Sequence, residues 1–405
     1  MSAEARPPTP DDSIAGVAPR RTFWPESTAE CAEVMARESG PVGFIGGGTE
    51  LALGRAPSEL DAVVRTGRMA RILEYAPADM VMVAEAGVTL AQVQAAAAAE
   101  RQMLALDPPH PERATLGGLV AAAGFGPRRA RYGAIRDLII GIAIVRADAV
   151  VARGGGKVVK NVAGFDLPKV FCGSLGTLGL VAEATFRLHP LPETSATALF
   201  AGLAAEEVVA LLGRVRQAQL EPSSAVALRG ASDRFDLGVR FEGFGHGVRQ
   251  QLAGLAELGR AGAKPCEPLS DDAGFWSRHD QARAAAPLRV KLTALPSRLV
   301  AVDALVAPLL GALRGGSFAW YASLGIGFAG GEIDDAAAAT AAIISARREL
   351  VAAGGSLVVE TAPAELRSAI DPWGPPPGAF AVMAELKQRF DPGRRLNPGR
   401  FVGGL

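Results

Sequence analysis

The sequence predicts an α+β protein with more than one domain, and three observations indicate this class. Apolar runs of strand length alternate with helical stretches from about residue 41 onward. Four glycine-dense segments lie at junctions between these elements within about the first 180 residues. The character of the chain changes at about residue 193, where a second series of strands and helices begins. A helical bundle or a β-sandwich would not show this alternation.

Composition limits the classes of function. The 405 residues are enough for two or three domains, and 49% hydrophobic with 21% charged residues is typical of globular proteins. The formal net charge is zero, so nothing indicates nucleic-acid binding. Cys31, Cys172 and Cys266 have no metal-ligand spacing, which predicts no metal site and a reducing cytoplasm. No apolar run reaches the roughly 18 residues that a membrane helix needs.

The order of the elements predicts four segments. Residues 1–20, rich in proline and aspartate, are expected to form a disordered or loosely draped arm. Residues 21–192 form a first domain, and residues 193–370 form a smaller second domain. Residues 371–405 return the chain to the first domain through a helix over residues 379–390.

Local signals predict the elements of the first domain. Ser27 caps a helix over residues 27–39, and Thr89 with Gln92 forms a capping box that opens a second helix. Three adjacent glycines at 154–156 predict a hairpin turn. The predicted strands cover residues 60–64, 71–75, 80–84, 102–106, 138–145, 148–153 and 180–188.

The second domain is predicted to contain two βαβ-type halves, a repeat typical of ferredoxin-like α/β domains. The first half has strands over residues 197–200, 225–228 and 237–241 and helices over 205–217 and 247–258. The second half has strands over residues 288–292, 317–321 and 325–328 and helices over 297–313 and 334–353.

The loop at residues 44–51 is the first candidate site. An apolar run ends there in Gly46-Gly47-Gly48-Thr49, so that bare backbone can approach a ligand closely. Successive N–H groups in such a turn form a concavity that binds anions such as phosphate. For this motif alone, a plain surface turn is the alternative.

Three further segments repeat the pattern. Thr115 caps a short helix whose first turn contains Gly117 and Gly118, as phosphate-binding helix starts do; a tightly packed helix of small residues is the alternative. Residues 157–169 hold three of the six lysines, which hints at a need for an ammonium group there. A glycine-rich loop at residues 173–179 precedes a strand. Four such segments in one domain favour a dinucleotide-sized ligand.

Taken in order, these motifs resemble a known family. They are Gly46-Gly47-Gly48-Thr49, Ala114-Thr115-Leu116-Gly117-Gly118, Lys160-Asn161-Val162-Ala163-Gly164-Phe165-Asp166-Leu167, Gly173-Ser174-Leu175-Gly176-Thr177-Leu178-Gly179 and Leu396-Asn397-Pro398-Gly399-Arg400. They resemble the two-subdomain FAD-binding domain of the vanillyl-alcohol oxidase and p-cresol methylhydroxylase type, in its glycolate-oxidase and D-lactate-dehydrogenase branch. The short length and the Asp107-Pro108-Pro109-His110 stretch are similar to the FAD-binding E subunits of glycolate oxidase. A Rossmann domain is not indicated, because no Gly-x-Gly-x-x-Gly opens a helix with an acidic residue about 20 positions later.

The resemblance implies an FAD site beneath a ferredoxin-like cap domain. The pyrophosphate would be held by Gly46, Gly47, Gly48, Thr49, Glu50 and Leu51, and the preceding Ile45 is also an implied cofactor-binding residue. Lys160 and Asn397 would lie near the isoalloxazine ring. The other implied cofactor-binding residues are Pro109, Thr115, Leu116, Gly117, Gly118, Ala123, Gly124, Gly133, Arg136, Asp137 and Val181. The first loop lacks the histidine that tethers FAD covalently in some relatives, which predicts dissociable FAD.

The resemblance also implies a function, the oxidation of glycolate, a 2-hydroxy acid, to glyoxylate by a complex. This chain would be its FAD-binding subunit, in an electron-transfer or assembly role. The expected partners are a larger catalytic flavoprotein and an iron–sulfur subunit, in the cytoplasm or at the inner face of the membrane.

The late glycine, aspartate and histidine cluster of catalytic relatives has no counterpart here, because the last histidine is His279. No catalytic residue is assigned, and His246 and His279 are expected to be surface or core histidines. The alternatives are an autonomous FAD-dependent 2-hydroxy-acid dehydrogenase and a flavin-free scaffold subunit.

Overall fold

The computed structural model describes residues 4–157, 165–230, 232–262, 265–269, 273–284 and 286–405. The chain divides into two compact units. The first unit consists of Met1–Gly126, Gly133–Leu191 and Pro375–Leu405, and the second of Pro127–Tyr132 and Pro192–Gly374. Within the described ranges, no helix has both the length and the apolar character that a bilayer crossing requires.

Short strands and helices alternate in the first half of the chain. The strands are β1 (Arg21–Phe23), β2 (Val42–Ile45), β3 (Ala62–Arg65), β4 (Ile72–Ala76), β5 (Val81–Glu85), β6 (Gln102–Met103), β7 (Ile139–Val145), β8 (Val151–Gly155), β9 (Leu180–Arg187) and β10 (His189–Pro190). The helices are α1 (Thr28–Arg37), α2 (Leu90–Ala98), α3 (Leu116–Ala122), α4 (Arg129–Tyr132), α5 (Ile135–Leu138) and α6 (Leu167–Phe171). Helix α4 belongs to the second unit.

A small parallel sheet in the order β1-β3-β2 forms one part of the first unit. Helix α1 begins at Ser27, whose side chain accepts a hydrogen bond from the Glu30 N–H, so the predicted cap is confirmed. The carboxyl-terminal tail lies beside this sheet, because Leu396 pairs in parallel with Val42 at the start of β2. Further along the tail, Arg400 donates to the carbonyl of Leu51 in the loop that follows β2.

An antiparallel five-stranded sheet in the order β4-β5-β9-β7-β8 forms the other part of the first unit. The predicted hairpin turn at residues 154–156 is wrong, since Gly154 and Gly155 pair with β7 as residues of β8. These glycines serve close packing: a Cβ on Gly154 would lie 2.6 Å from the side chain of Leu167. Gly155 has a φ of +75°, and a Cβ there would lie 2.1 Å from the carbonyl of Ile140.

The described residues of the amino-terminal arm, 4–20, are folded onto the first unit. Ile14 is fully buried and packs with Leu60 and Val63. The buried Asp12 pairs with Arg65 at 2.6 Å and accepts a hydrogen bond from the Thr9 backbone N–H at 2.7 Å. Burial raises the pKa of the Asp12 carboxyl, but the hydrogen bonds from Thr9 and Arg65 outweigh it and hold the pKa below its usual value. The arm is therefore ordered, not disordered.

The second unit contains most of the remaining elements. Its strands are β11 (Thr194–Leu203), β12 (Ser224–Arg229), β13 (Phe235–Gly243), β14 (Glu267–Leu269), β15 (Leu288–Thr293), β16 (Leu313–Tyr321), β17 (Ile326–Ile333) and β18 (Ser356–Thr361). Its helices are α7 (Ala205–Gln217), α8 (Gly245–Ala261), α9 (Ala273–Ala284), α10 (Leu299–Gly311), α11 (Ala336–Ala352) and α12 (Ala364–Ala369), and α13 (Phe380–Phe390) returns to the first unit.

Two complete ferredoxin-like halves form the second unit. The first half runs β11-α7-β12-β13-α8-β14, and the second half repeats this order as β15-α10-β16-β17-α11-β18. The antiparallel sheet has the order β14-β11-β13-β12-β16-β17-β15-β18, so each half has the ferredoxin-like strand order 4-1-3-2. The halves join through their second strands, β12 and β16. The predicted ferredoxin-like repeat is confirmed, with β14 and β18 as additional strands.

Helix α9 covers the sheet face opposite the main helical layer. Trp320 and Tyr321 are neighbours in β16 and so point to opposite faces. Trp320 lies in the core with the residues of α7 and α10, whereas the Tyr321 hydroxyl contacts His279 of α9 at 2.8 Å. His279 is 2% exposed, as predicted for a core histidine.

Candidate functional site

The first glycine loop, residues 46–51, follows β2 and lies against the segment that leads into α3. A Cβ on Gly47 would lie 1.6 Å from the carbonyl oxygen of Arg113, and a Cβ on Gly46 would lie 2.2 Å from the Thr115 Oγ1 atom. Gly48 has a φ of +73°. Because these approaches leave no room for a side chain, the three glycines are required by the backbone geometry.

Thr115 joins this loop to α3. Its hydroxyl oxygen accepts hydrogen bonds from the Gly118 N–H at 3.4 Å and from the Gly47 N–H at 3.3 Å. The side chain is buried, so both bonds are shielded from water. The predicted cap of α3 is confirmed, and the same hydroxyl also holds the first glycine loop.

The second glycine loop, residues 173–179, meets α3 at its other end. The Gly173 N–H donates to the carbonyl of Val120, and the Leu175 N–H donates to the carbonyl of Ala121, each at 2.8 Å. Leu175 itself has a φ of +50°, a strained conformation for a leucine that the surrounding contacts maintain. Helix α3 is thus held between the two glycine loops.

Asn397 in the carboxyl-terminal tail fixes the second glycine loop. Its side-chain amide donates to the Leu175 carbonyl at 2.7 Å, and its backbone N–H donates to the Val42 carbonyl at 2.9 Å. The residue is 1% exposed. Among the described residues, its Oδ1 atom is buried and accepts no hydrogen bond. The position of Asn397 relative to the isoalloxazine ring stays a prediction, but the residue connects β2 with the second glycine loop.

Two buried cations, which sequence analysis did not select, support the loops from behind. Arg400 Nη2 donates to the carbonyls of Leu51 at 2.9 Å and Leu53 at 2.7 Å. The Lys387 ammonium donates to the Thr177 carbonyl at 2.8 Å and to Asp391 at 2.7 Å, and burial lowers the pKa of this lysine. The only signal in the sequence was that Arg400 ends the Leu396-Asn397-Pro398-Gly399-Arg400 motif.

These elements enclose a cavity of about 70 Å³, called here the loop cavity. It is lined by Phe44, Gly46, Gly47, Gly48, Thr49, Glu50, Leu51, Thr115, Gly118, Ala121, Ala122, Leu175 and Arg400. A liquid water occupies about 30 Å³, so this volume suits a phosphate-sized group and not a whole dinucleotide. Eight of the predicted cofactor-binding residues meet here.

The backbone of the loop cavity is suited to an anion. Within the part of the chain that the structure describes, the N–H groups of Gly46, Gly48 and Thr49 donate no hydrogen bond. The exposed Arg113 guanidinium also lies 3.5 Å from the Gly47 carbonyl. Unpaired N–H groups on adjacent residues form the kind of concavity that binds phosphate oxygens. The residues present therefore fit the pyrophosphate of a dinucleotide.

Several other predicted residues lie outside the lining of the loop cavity. Ile45 and Leu116 point into hydrophobic cores, and Val181 is buried in β9. Gly117 packs on Ala86, since a Cβ there would lie 2.7 Å from the alanine Cβ. Ala123, in a left-handed conformation with φ 51°, ends α3. Gly124 follows α3 and packs on Leu119.

The residues predicted around α5 also lie outside the lining of the loop cavity. Arg136 and Asp137 are exposed, and Asp137 accepts a hydrogen bond from the Ala134 N–H at 2.9 Å as the cap of α5. Gly133 has a φ of +84°, and Pro109 is half-buried. The cofactor contacts implied for these four residues stay predictions.

The lysine cluster does not form a site in the described residues. Lys157 pairs with Glu74, and Lys169 pairs with Asp166, at exposed positions where ion pairs contribute little stability. Lys160 lies outside the described residues. The expected need for an ammonium group in this segment stays a prediction.

Burial keeps two cysteine thiols and one histidine of the described residues in their neutral forms. Burial raises the pKa of Cys31 to about 12 and that of Cys172 to about 11, so both thiols stay protonated at neutral pH. Burial lowers the pKa of His279, which is therefore neutral. No group of three histidine, cysteine or acidic side chains in the described ranges has an arrangement suited to a metal.

Comparison with known families matches residues 19–155 to the FAD binding domain family. The match contains the first glycine loop, Thr115 and α3. Over 177 residues, the chain is 34% identical to the glycolate oxidase subunit GlcE of Escherichia coli, covering 44% of this chain and 50% of the relative. Residues 19–155 are therefore similar to the FAD-binding domains of oxidoreductases. FAD is thus the cofactor of this chain, as the sequence predicted.

Two other relatives match this FAD-binding chain over a similar range. The glycolate oxidase subunit GlcD of Bacillus subtilis is 33% identical over 198 residues, covering 49% of this chain and 42% of the relative. The D-lactate dehydrogenase of Archaeoglobus fulgidus is 36% identical over 190 residues, covering 44% of this chain and 42% of the relative. This chain therefore aligns with no more than half the length of these relatives.

A solved structure shows that the fold extends over nearly the whole flavoprotein chain. Alkyldihydroxyacetonephosphate synthase superposes with a TM-score of 0.71 at 17% identity, covering 95% of this chain and 78% of the other. The predicted vanillyl-alcohol oxidase type of fold is confirmed. At 17% identity, the superposition shows a shared fold and does not show a shared function.

Proposed function

We propose that this chain is the FAD-binding subunit of a complex that oxidises glycolate, or a related 2-hydroxy acid, to the 2-oxo acid. The observation that carries the proposal is the convergence of both glycine loops and α3 on the loop cavity. The first of these loops and α3 lie in the region that matches the FAD binding domain family. The similarity to the glycolate oxidase subunits GlcE and GlcD supports the substrate class and the complex.

The chain's own residues would hold the cofactor at its pyrophosphate. The N–H groups of Gly46, Gly48 and Thr49 would donate to phosphate oxygens, while Thr115 and Arg400 keep the loop in place. Bound FAD would supply a two-electron carrier for electrons that a partner subunit removes from the substrate. Since the first glycine loop contains no histidine, the bond to FAD is non-covalent in this proposal.

The substrate of the complex reacts on a partner subunit in this proposal. The described residues offer neither a metal-binding group nor a reactive thiol, and the imidazole of His279 is enclosed by Trp276 and Tyr321. A larger catalytic flavoprotein would take the substrate, and an iron–sulfur subunit would pass electrons onward. This chain would then serve electron transfer or assembly, in the cytoplasm or at the inner membrane face through its partners.

Anaerobic reduction tests whether the substrate reacts on this chain or on a partner subunit. The purified FAD-loaded chain is mixed with glycolate or D-lactate, and flavin absorbance near 450 nm is followed with and without the partner subunits. We expect the flavin to stay oxidised when the chain is alone. Bleaching by either acid without partners would instead identify an autonomous dehydrogenase. If the chain fails to bind FAD at all, it would be a flavin-free scaffold.

A further inference from the structure

A second, larger cavity lies within the second unit, far larger than the loop cavity of the first. Its volume is about 950 Å³, and it is called here the repeat cavity. Its walls come from α7 of the first ferredoxin-like half and from the start of α10 in the second half, with Trp320 of β16 between them. The volume falls at the upper end of the range for small-molecule sites, about 300–1,000 Å³.

The walls of the repeat cavity are mainly apolar. Val208, Leu299 and Trp320 are fully buried residues of the lining, and Leu212 is half-buried. Leu295 lies at the margin of the cavity and is 67% exposed. Such walls favour the body of an apolar ligand over a sugar or a nucleotide.

One polar group in the lining has no partner. Trp320 is completely buried, and its Nε1–H makes no hydrogen bond with the described residues. The nitrogen is closed off from solvent, so this donor belongs to the packing behind the cavity wall and is not exposed to a ligand in the cavity.

The charged residues of the lining indicate that the head group of the ligand is negatively charged. Arg131 and Arg216 face one acidic residue, Glu221, which leaves one excess positive charge among the described lining residues. Arg131 donates to the Glu221 backbone carbonyl at 3.1 Å, while the Glu221 carboxylate lies 3.9 Å away and is largely exposed. Arg216 has no side-chain partner in the described ranges. Arginine is the preferred partner of a carboxylate.

From the volume of the repeat cavity, its apolar walls and its two arginines, we infer that it binds an amphipathic carboxylate, an aliphatic chain with an acid head group such as a free fatty acid. The chain would lie along the apolar walls of α7 and α10, and the carboxylate would pair with Arg131 and Arg216. This site is separate from the loop cavity and does not depend on the proposed oxidation.

Calorimetric titration of the FAD-loaded full chain with decanoate tests the inference. We expect saturable binding, with decanol about tenfold weaker and decyltrimethylammonium and butyrate not binding, because both the head charge and the tail are needed. Equal binding of decanoate and decanol, or no saturable binding of decanoate, would overturn the inference. Co-sedimentation with phosphatidylglycerol vesicles in the absence of any decanoate binding would also overturn it, in favour of a membrane lipid.

Matched variants locate the site. Leu212→Trp fills the cavity and should abolish decanoate binding, while Ile344→Trp adds the same ring at an exposed site on α11 and should not. The double variant Arg131→Gln/Arg216→Gln, which leaves the core intact, should weaken binding about tenfold or more. Arg249→Gln, an exposed change on α8, is its control. Unchanged binding in the double variant would contradict the head-group assignment even if Leu212→Trp failed to fold.

Discussion

The Thr115 hydroxyl oxygen lies 3.3 Å from the backbone nitrogen of Gly47, 68 residues earlier in the chain, and accepts its hydrogen. The same oxygen caps α3 through the Gly118 N–H. One side chain therefore connects the loop after β2 with the helix on the other side of the loop cavity. The geometry of the loop cavity depends on this connection.

Thr115→Val tests that connection. Valine keeps the shape of threonine but leaves the Gly47 N–H without its acceptor, and an unsatisfied buried donor costs about 1–3 kcal/mol. We expect the Kd for FAD, measured by quenching of flavin fluorescence, to rise about tenfold or more. Thr115→Ser retains the acceptor and should bind FAD as the wild type does. Equal affinity of both variants would show that the loop does not need this bond.

Gly47→Ala tests the close approach of the first glycine loop to the carbonyl of Arg113. The new Cβ would lie 1.6 Å from that oxygen, so the loop must move. We expect no measurable FAD binding, with a loss of stability of about 1–3 kcal/mol in thermal or urea unfolding. Gly393→Ala is the control in the first unit, because nothing lies within 4 Å of its new Cβ. This variant should change neither FAD binding nor stability. Retention of FAD by Gly47→Ala would refute the assigned geometry.

Arg400→Gln tests the support behind the loop. The substitution removes two buried hydrogen bonds, to the carbonyls of Leu51 and Leu53, and charged hydrogen bonds of this kind contribute about 1.5–3 kcal/mol each. We expect a lower midpoint in urea and faster FAD release in stopped-flow dilution. Arg389→Gln, which breaks only the exposed pair with Glu385, should change the free energy of unfolding by less than about 1 kcal/mol. Similar behaviour of the two variants would mean that Arg400 has no special role.

The pH dependence of stability tests the environment of His279 in the second unit. Burial lowers its pKa, the neighbouring Arg283 and Arg240 lower it further, and the hydrogen bond to Asp280 opposes them. The unfolded chain therefore takes up this proton more readily than the folded chain. The stabilising contribution is complete above the unfolded pKa of about 6.5 and is lost as the pH falls below it.

His279→Gln should therefore lose less stability than the wild type between pH 7.5 and pH 5. The glutamine can still form a hydrogen bond with the Tyr321 hydroxyl, which His279 contacts at 2.8 Å. Urea unfolding at several pH values measures the difference. The lowered pKa of His189 is common to both proteins, so its effect cancels in the comparison. Parallel pH profiles would contradict a buried, neutral His279.

Local sequence signals predicted the parts of the fold that depend on adjacent residues. Ser27 and Thr115 act as caps because capping is decided within four residues. The helix at Ala205–Gln217 has the predicted limits, since its apolar face repeats at helical spacing. The order of the glycine motifs identified the FAD-binding family, because glycines at backbone contacts have few substitutes.

Long-range contacts explain what the sequence did not predict. Gly154 and Gly155 have the composition of a turn, but contacts with Leu167 and Ile140 place them in β8. Arg400 and Lys387 lie far from the glycine loops in sequence, and only the folded tail brings them near. Three of the six lysines lie at residues 157–169, but the buried lysine that supports the second glycine loop is Lys387. No local sequence pattern indicates hydrogen-bond partners that are so far apart in the chain.

The central claim is that the two glycine loops and α3 hold one dissociable FAD. The most direct measurement is the flavin content of the purified full chain after saturation with FAD and removal of the excess, before and after acid precipitation. The account predicts about one FAD per chain, all of it released into the acid supernatant, and none in Gly47→Ala. Wild-type chain without flavin, or flavin that stays with the precipitate, would contradict it.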